Sequence, residues 1–455
     1  MLNTFLALAV VATPVSVLTP EPSLRWSACP IADAPELQCA DLAVALSPKG
    51  DRKITLKVAR LPATGAKKGS VLVNFGGPQG YQIATMGSRT KIFDRIRTSM
   101  DVVTWDPRGY PGLSDAVLKC DFGYLRTPAF PADQAGFDRL VAANKARGDK
   151  CRATDTELFD HMDSAADARD ADAVREALGE DKMNFLGLSY GGTIAQSYAR
   201  LFPHRVRTMY IDGSKSHSLR DWERELDIMA RENEEFVGRF FAWAPAGTEK
   251  RWRALIAKAA REPIPAPKTG ARYDDTHLRT LGFYKIRSGP ASWDGFMTAL
   301  AAAERGDASG FVQTSQPYPG LPGGGYKECL DFPRPTDQRS IARTVKRLRA
   351  IAPNTGAFFP LAGHLPLTCA GWPAPVSNPP KPMPRKQLPP MLGAGTWLDY
   401  DSSRRVVEQT PGSRTIEHDG PGHNLFGGMA NACVIDHVSR YVTERRLPPK
   451  GTTCP

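Results

Sequence analysis

No two of the eight cysteines in this 455-residue chain form a Cys-x-x-Cys pair, the spacing on which many structural zinc sites depend. We therefore expect neither a metal nor a cofactor. The even number of cysteines favours disulfide bonds instead. Spacing does not decide among the roughly one hundred pairings that eight cysteines allow. We predict that each cysteine pairs with its neighbour in the sequence: Cys29 with Cys39, Cys120 with Cys151, Cys329 with Cys369 and Cys433 with Cys454.

The chain also lacks an apolar run long enough to anchor it stably in a bilayer. Residues 1–13 are apolar but too few, Pro14 follows them, and no Lys or Arg precedes them. This stretch resembles the hydrophobic region of a secretory signal peptide. We predict that residues 1–25 are a signal peptide and leader. The mature protein is then secreted or lies on the extracellular side of the cell envelope, without a stable membrane span.

Basic residues are not concentrated in any run interleaved with aromatics, although the net charge is +11. Scattered Lys and Arg predict a solvated cationic surface and no nucleic-acid partner. The chain has no internal repeat and no low-complexity tract. Its hydrophobic fraction of 41% can bury a large core, and roughly two to three domain equivalents would fit the length. We expect a monomer.

Strand-like and helix-like segments alternate along the chain, which predicts an α/β fold with a mostly parallel central sheet and helices on both of its faces. Strand patterns occur at residues 53–60, 70–75, 101–105, 183–186, 205–211, 390–394 and 414–417, and helical patterns at residues 165–178, 193–199, 221–243 and 431–445. Residues 244–390 are irregular and rich in proline and glycine. We therefore predict a core formed by residues 26–213 and 386–455, with residues 214–385 inserted as a cap domain that shapes substrate selectivity.

A serine lies between two glycines in the sequence Gly187-Leu188-Ser189-Tyr190-Gly191, where a predicted strand gives way to a predicted helix. This is the sequence form of a nucleophile elbow. Residues two before and two after the serine must be very small so that the strand and the helix can approach each other. The free N–H groups at the start of the helix favour negative charge that develops near Ser189. Ser189 is therefore the candidate nucleophile.

Serine is a weak nucleophile and needs a base that is itself oriented by an acid. Hydrolases with an elbow carry these groups in the order Ser, Asp or Glu, His. His423 lies in a glycine-rich loop directly after a predicted strand, where its ring can lean towards the serine, and it is our candidate base. His418 lies at a strand end and His437 inside a helix, so we assign structural roles to both.

The acid should follow the predicted strand near residues 391–395. Two aspartates lie there, Asp399 and Asp401. We favour Asp399 over Asp401 as the acid that orients His423.

Backbone N–H groups must stabilise the oxyanion, one from the residue after the nucleophile and one from a loop after an earlier strand. Tyr190 takes the first role. Residues 76–80 are rich in glycine and follow a predicted strand, and glycines allow the backbone to approach a substrate carbonyl. Our candidate donors are therefore Tyr190 and Gly77, with Gly76 as the second choice in the loop.

Together these segments resemble the secreted tripeptidyl aminopeptidases related to proline iminopeptidases, a branch of the α/β-hydrolase fold. The segments that carry the resemblance are residues 74–80, 105–109, 187–192, 198–203, 211–213, 420–423 and 431–455. The resemblance covers most of residues 26–213 and 389–455, whereas the middle of the chain is not covered. It implies an exported serine exopeptidase that acts through an acyl-enzyme on peptides with a free N-terminus.

The acid region departs from the pattern of that family. The family's acid lies in a Gly-x-x-Asp-x-x-Thr-Pro segment, whereas here Asp399 follows Gly395 one position late and Ser402 stands where threonine is expected. An alignment without a gap would place Gly395 at the acid position. Three alternatives therefore stay open: Asp399, Asp401, or no triad acid.

An acid in the cap would have to receive the ammonium group of a peptide substrate. Glu232, Glu234 and Glu235 lie in the predicted helix of residues 221–243 and are our candidates, although a charged helix more often forms a solvated face. The same machinery would also serve an esterase or amidase that acts on small acyl substrates. If the acid is missing, the chain would instead be a hydrolase-like binding protein.

Overall fold

The structure is a computed structural model that describes residues 24–77, 80–120, 130–311, 326–357 and 366–455. All but the last two residues of the predicted signal peptide and leader lie outside the described residues. The strands are β1 (Ser27–Ala28), β2 (Gln38–Ala45), β3 (Lys53–Leu61), β4 (Ser70–Asn74), β5 (Asp101–Trp105), β6 (Met183–Leu188), β7 (Val206–Asp212), β8 (Ile264–Ala266), β9 (Ala271–Tyr273), β10 (Leu392–Gly395), β11 (Arg414–His418) and β12 (Thr452–Cys454).

The α-helices of the described residues follow the same chain order. They are α1 (Gln82–Gly87), α2 (Asp94–Arg97), α3 (Gln134–Arg152), α4 (Thr156–Asp160), α5 (Ser164–Ala177), α6 (Gly191–Leu201), α7 (Trp222–Trp243), α8 (Thr248–Ala259), α9 (Asp275–Ile286), α10 (Trp293–Glu304), α11 (Tyr326–Asp331), α12 (Gln338–Ile351), α13 (Pro366–Cys369), α14 (Tyr400–Val407) and α15 (Ala432–Glu444).

One large sheet has the strand order β1-β2-β3-β5-β4-β6-β7-β10-β11-β12. The pairs β1–β2, β2–β3 and β3–β5 are antiparallel, and every pair from β5 to β12 in this order is parallel. The carboxyl ends of β4, β6, β7, β10 and β11 therefore meet at one edge of the sheet, which is where open α/β sheets place their binding sites. The predicted mostly parallel sheet is confirmed.

Side chains of the central strands alternate between two hydrophobic clusters, one on each face of the sheet. Leu72 and Phe185 belong to one cluster, which includes residues of α5 and α6. Val71 and Leu186 belong to the other, which includes residues of α1, α2 and α15. Neighbouring strand residues point to opposite faces, so helices cover both sides of the sheet. This arrangement agrees with the predicted α/β class.

Much of the segment of residues 244–390 is helical, contrary to the expectation from its proline and glycine content, although residues 373–390 have neither helix nor strand and residues 312–325 and 358–365 lie outside the described residues. It contains helices α8 to α13 and the small antiparallel sheet of β8 and β9. A third cluster made by α7 to α10 stabilises the region, with the rings of Phe240 and Trp252 packed at 4.7 and 5.0 Å from the ring of Phe296. Prolines occur where they do not disturb a helix, as at Pro366, the first residue of α13.

Four disulfides join the cysteines in the predicted pairs of sequence neighbours. The predicted pairing is therefore confirmed. Cys433–Cys454 ties α15 to β12, and β12 pairs in parallel with β11. The sequence patterns had ended the sheet at β11 and missed this short edge strand. Within the described ranges, the helices are all too short or too polar to cross a membrane.

Candidate active site

Ser189 lies on a sharp turn between β6 and α6. Its φ angle is 54°, in the left-handed region that a residue with a side chain adopts only at an energetic cost. The backbone N–H of Ser189 donates to the carbonyl of Asp212 at the end of β7, at 2.8 Å. The turn therefore holds the serine above the edge of the sheet in a fixed direction.

The two glycines around the serine are required by contacts on both sides of the turn. A Cβ at Gly187 would lie 2.8 Å from the side chain of Ala195 in α6, and a Cβ at Gly191 would collide with the carbonyl oxygen of Asn74 at the end of β4. Distances of this kind are too short for carbon atoms in a packed interior. Only glycine at both positions allows β4, β6 and α6 to meet around Ser189.

Ser189, His423 and Asp399 form a chain of hydrogen bonds. The Nε2 atom of His423 lies 2.9 Å from Oγ of Ser189, and its Nδ1 lies 2.6 Å from Oδ2 of Asp399. The other oxygen of Asp399 accepts the backbone N–H of Thr396 at 2.8 Å. The structure thus brings together the three residues that the sequence analysis favoured.

Asp401 points away from this chain of hydrogen bonds. Its carboxylate pairs with Arg404 at 2.7 Å and with Arg405 at 3.4 Å, both within one turn of α14. Asp399 precedes the first residue of α14, so the two aspartates lie on different sides of the helix start. The late position of Asp399 relative to Gly395 does not prevent its contact with His423.

The electrostatics of His423 suit a base that is oriented by an acid. Burial opposes protonation of the ring, but the hydrogen bond and the charge of Asp399 outweigh it and raise the pKa of His423 above its usual value. The carboxylate of Asp212 acts in the same direction, whereas the guanidinium of Arg287 acts against it. The imidazolium that would form when Ser189 loses its proton is therefore stabilised.

The oxyanion candidates differ in whether their N–H groups are free. The N–H of Gly76 donates to the side-chain oxygen of Asn74 at 2.9 Å. The N–H groups of Gly77 and Tyr190 have no acceptor among the described residues, and both residues line the same cavity as Ser189. This difference favours Gly77 over Gly76 as the donor from the loop.

The cavity above Ser189 has a volume of about 190 Å³. The core contributes the serine, the base and the loop residues, while α7 and α9 contribute residues to the opposite part of the lining. The lining residues are Gly77, Ser189, Tyr190, Gly213, Ser214, Lys215, Met229, Glu232, Asn233, Phe283, Arg287, Leu398, Asp399, Ser402 and His423. The cavity therefore has a catalytic floor and a wall that carries charges of both signs.

Glu232 is a buried carboxyl group in the wall that α7 provides. Its two oxygens accept the backbone N–H and the hydroxyl of Ser402 at 3.1 and 3.3 Å. Burial, together with the charges of Glu225, Asp399 and Asp401, raises the pKa of Glu232 well above its usual range. Burial also raises the pKa of Glu225, which lies two turns earlier on α7, to about 7.

Glu234 and Glu235 lie elsewhere on α7. Glu234 accepts the backbone N–H groups of Asn354 and Thr355 at 3.1 and 3.2 Å, and also the side-chain amide of Asn354 at 2.6 Å. Glu235 is exposed to solvent. Of the three acidic candidates from the sequence, Glu232 lines the cavity of Ser189 and the other two do not.

A group of three potential metal ligands lies in the C-terminal part of the chain: Cys433, His437 and Cys454. The two cysteines form a disulfide, so neither offers a thiolate to a metal. A single imidazole does not make a metal site. The expectation that the chain uses no metal stays a prediction.

Two family models match the chain at positions that include the site. The model described as alpha/beta hydrolase fold matches residues 94–281, which contain Ser189. The model described as TAP-like protein matches residues 357–454, which contain Asp399 and His423. The chain has the α/β-hydrolase fold. The fold expected from the sequence is therefore confirmed, and the two matches agree with the resemblance to the tripeptidyl aminopeptidase family.

Curated relatives of this hydrolase match nearly its whole length. It is 28% identical to serine protease Hip1 of Mycobacterium tuberculosis, over 91% of this chain and 87% of the relative. It is 27% identical to the tripeptidyl aminopeptidase of Streptomyces lividans, over 92% of this chain and 83% of the relative. It is 29% identical to carboxylesterase B of M. tuberculosis, over 95% and 90% of the two chains. These similarities support a serine hydrolase.

Sequence reasoning did not single out the buried carboxylate of Asp212 in this hydrolase. It accepts the backbone N–H groups of Leu425 and Phe426 at 3.1 and 2.8 Å and the hydroxyl of Tyr210 at 2.9 Å. Burial raises the pKa of Asp212 to about 6. These bonds fix the loop directly after His423. The available signal was the position of Asp212 at the end of a predicted strand, the edge where the site forms.

Gln82 is a second residue that the sequence did not reveal. Its side-chain oxygen accepts the backbone N–H of Phe75 at 2.7 Å, and its side-chain amide donates to the carbonyl of Gly76 at 3.0 Å. The buried amide thus holds both sides of the backbone just before Gly77. Nothing in the local sequence predicts this contact, because it depends on how α1 packs against β4.

The side chain of Tyr190 is held by α11. Its hydroxyl donates to the carboxylate of Asp331, which also accepts the backbone N–H of Ser164 at 3.0 Å and the side-chain amide of Asn378 at 2.7 Å. Burial, and then the charge of Asp163, raises the pKa of Asp331 to about 7. The backbone N–H of Tyr190 therefore belongs to a residue whose side chain cannot move freely.

Proposed function

We propose that this hydrolase is an exported serine exopeptidase that cleaves short peptides from free N-termini. The observation that carries the proposal is the position of Glu232, a buried acid that lines the same cavity as Ser189 and His423. Its carboxylate would attract the ammonium group of a substrate while the scissile carbonyl lies at the serine. A hydrolase for uncharged acyl groups has no evident use for a buried carboxyl group in this wall, because burying an ionisable group that has no cationic partner among the described residues costs free energy.

The reaction follows from the hydrogen-bonded chain. His423 takes the proton of Ser189 as Oγ attacks the carbonyl carbon, and Asp399 stabilises the imidazolium. The N–H groups of Tyr190 and Gly77 hold the oxyanion. His423 then gives the proton to the leaving amine, the C–N bond breaks, and the acyl-enzyme remains. Water, deprotonated by His423, attacks the acyl-enzyme and releases the short peptide and the serine.

We also propose that residues 214–385 act as a cap on a core formed by residues 26–213 and 386–455. The support is the origin of the cavity wall: α7 contributes Met229, Glu232 and Asn233, and α9 contributes Phe283. β7 and β10 are neighbours in the sheet although the whole of this segment separates them. Such an insertion between paired strands restricts access to the serine and selects the substrate.

Export is part of the proposal. Four disulfides fit an extracellular protein, because such bonds persist in oxidising compartments. Expression of the full chain in a bacterium with a general secretion pathway tests it. The protein recovered from outside the cytoplasmic membrane should begin within or just after residues 1–25. Recovery of the uncleaved chain from the cytoplasm would contradict the proposal.

The decisive test uses peptidyl p-nitroanilides of one to four residues, each with a free and an acetylated N-terminus. We expect hydrolysis of the free forms and not of the acetylated forms, because acetylation removes the charge that Glu232 would bind. The Ser189→Ala variant should hydrolyse neither. Equal turnover of free and acetylated forms would overturn the exopeptidase proposal.

An esterase or amidase for small acyl substrates is the second candidate, and the similarity to a relative named carboxylesterase B favours it. The same triad would serve both reactions. p-Nitrophenyl esters of short carboxylic acids distinguish the two. Ester hydrolysis that exceeds hydrolysis of every free-N-terminus anilide, and that is unchanged in Glu232→Gln, would favour the esterase.

The hypothesis of a hydrolase-like binding protein rested on a missing acid. The hydrogen bond of 2.6 Å between His423 and Asp399 supports the enzymatic proposal instead. A fluorophosphonate reagent tests the point directly, since it labels an activated serine covalently. Labelling of the wild type and not of Ser189→Ala is the expected result, and an unlabelled wild type would favour the binding protein.

A further inference from the structure

Arg287 is a cation in the cavity wall without an anionic partner. It follows the last residue of α9 and lines the cavity together with His423. Lys215, the other Lys or Arg of the lining, forms an ion pair with buried Glu328. Within the described ranges no carboxylate lies at ion-pair distance from Arg287, whose guanidinium lies 5.3 Å from the ring centre of Tyr284. The cavity therefore offers one uncompensated positive charge.

The backbone around Arg287 is anchored against the loop that carries His423. Gly289 has a φ angle of 90°, and a side chain there would collide with the ring of Pro421. The indole N–H of Trp293 donates to the last carbonyl of α9 at 3.0 Å, which fixes the end of that helix. These contacts tie the end of α9 to the loop that carries His423, so the position of the Arg287 backbone does not depend on a free surface loop.

The proposed reaction determines which part of the substrate Arg287 faces. Glu232 binds the ammonium group, so the acyl part of the substrate lies on the side of α7. His423 delivers its proton to the leaving amine, so the leaving group lies on the side of the imidazole. Arg287 lies on that side of the cavity, because Gly289, two residues after it, packs against Pro421, two residues before His423. From the end of α9 it would therefore face the leaving group.

We propose that Arg287 binds a carboxylate on the leaving-group side of the scissile bond and makes the enzyme prefer substrates that carry one. The inference rests on the proposed exopeptidase function and adds a specificity determinant to it. A guanidinium binds a carboxylate through two parallel N–H···O bonds. The carboxylate has two possible sources: the free C-terminus, when a single residue is released as the leaving group, or an Asp or Glu side chain directly after the scissile bond.

The charges of the cavity agree with a substrate that is charged at both ends. Glu232 would repel a carboxylate and attract an ammonium group, and Arg287 would do the opposite. Lys215 is already neutralised by Glu328, so it does not compete for the substrate carboxylate. A short peptide with free termini has the matching arrangement of charges.

The test uses pairs of peptides that differ only in this carboxylate. The acyl part of every substrate is the peptide of the most rapidly hydrolysed anilide, extended at its C-terminus by one residue. In the first pair this residue is Gly, with a free C-terminus in one member and a C-terminal amide in the other. In the second pair it is Asp-amide in one member and Asn-amide in the other. We expect kcat/KM to be about tenfold higher for the carboxylate member of at least one pair, the effect of a charged hydrogen bond. A preference in the Gly pair alone identifies the C-terminus as the source, and a preference in the Asp/Asn pair alone identifies the side chain.

Variants show whether Arg287 causes the preference. The ratio within a pair should fall towards one in Arg287→Gln and take an intermediate value in Arg287→Lys, which keeps the charge but loses the fork. Any effect of the substitution on His423 or on folding acts on both members of a pair and cancels in the ratio. Arg305→Gln is the matched control, because Arg305 follows the last residue of α10 in the same way and does not line the cavity.

Two results would overturn the inference alone: equal kcat/KM within both pairs for the wild type, or a preference that Arg287→Gln retains in full. Failure to cleave any of the peptides, including the amides, would overturn the proposed exopeptidase function and the inference with it. The uncharged members, extended by Gly-amide or Asn-amide, separate these cases, because their cleavage needs Glu232 and the triad and does not need Arg287.

Discussion

Ser402 donates its backbone N–H to one carboxylate oxygen of Glu232 and its hydroxyl to the other, at 3.1 and 3.3 Å. Ser402 lies in the first turn of α14, three residues after Asp399. The proposed acceptor of the substrate N-terminus and the proposed triad acid are therefore held by the same short segment. A shift of α7 relative to α14 would alter substrate binding and the position of His423 together.

Replacement of Glu232 by glutamine should weaken the binding of substrates with a free N-terminus. The amide keeps the size of the side chain but carries no charge, so we expect KM to rise about tenfold or more while kcat changes less. Steady-state kinetics with the best free-N-terminus anilide measures both. Glu235→Gln is the control on the same helix and should behave as the wild type. An unchanged KM in Glu232→Gln would remove the main support for the exopeptidase.

The KM of such substrates should depend on pH through Glu232. Burial, together with the charges of Glu225, Asp399 and Asp401, raises the pKa of Glu232. Below that pKa the carboxyl group is neutral and does not attract an ammonium group. KM should therefore increase by about tenfold for each pH unit below the pKa of Glu232 and stay constant above that pKa.

The measurement is KM from about pH 5 to about pH 7, below the range in which the substrate amine itself is largely deprotonated. In Glu232→Gln the acid limb should disappear, because the titrating group is gone. A profile that is the same in both proteins would assign the acid limb to another group.

Asp399→Asn and Asp401→Asn should have very different effects. Only Asp399 contacts His423, and its loss should lower kcat by about four orders of magnitude, the effect of the same change in other serine-hydrolase triads. Asp401 pairs with Arg404 and Arg405, so its replacement should change kcat by less than about twofold. Comparable losses in both variants would contradict this assignment. Thermal unfolding of both variants controls for loss of structure.

Tyr190→Phe should destabilise the fold and retain the oxyanion donor. The change removes the hydroxyl that bonds to buried Asp331, which costs about 1–3 kcal/mol when a buried acceptor loses its partner. The backbone N–H of Tyr190 is unaffected. Urea unfolding measures the free energy difference, with Tyr81→Phe as the control because Tyr81 is largely exposed. Equal stability of the two variants would show that the bond to Asp331 contributes nothing.

The sequence predicted the fold well where the signal is local. The predicted strand of residues 101–105 and the predicted helix of residues 165–178 agree with β5 and α5 within a residue. Strand alternation and helical periodicity depend on neighbours in the chain, so a single sequence reveals them. The prediction failed over residues 244–311, where several helices bury aromatic side chains against each other. Their apolar faces become apparent only when the helices are packed together.

By itself, the sequence determined the α/β class, the glycine-flanked turn at Ser189 and the choice of His423 as the candidate base, because each depends on residue types in a local pattern, and it left the triad acid open. Only the tertiary structure decided that Asp399 faces His423 while Asp401 faces two arginines, and that Glu232 lines the cavity while Glu234 and Glu235 do not. These outcomes depend on how α7 and α14 are rotated about their axes and on what each helix contacts. Glu232 of α7 and Ser402 of α14 form a hydrogen bond although they are 170 positions apart in the sequence. Contacts at such separation leave no periodic signal along the chain.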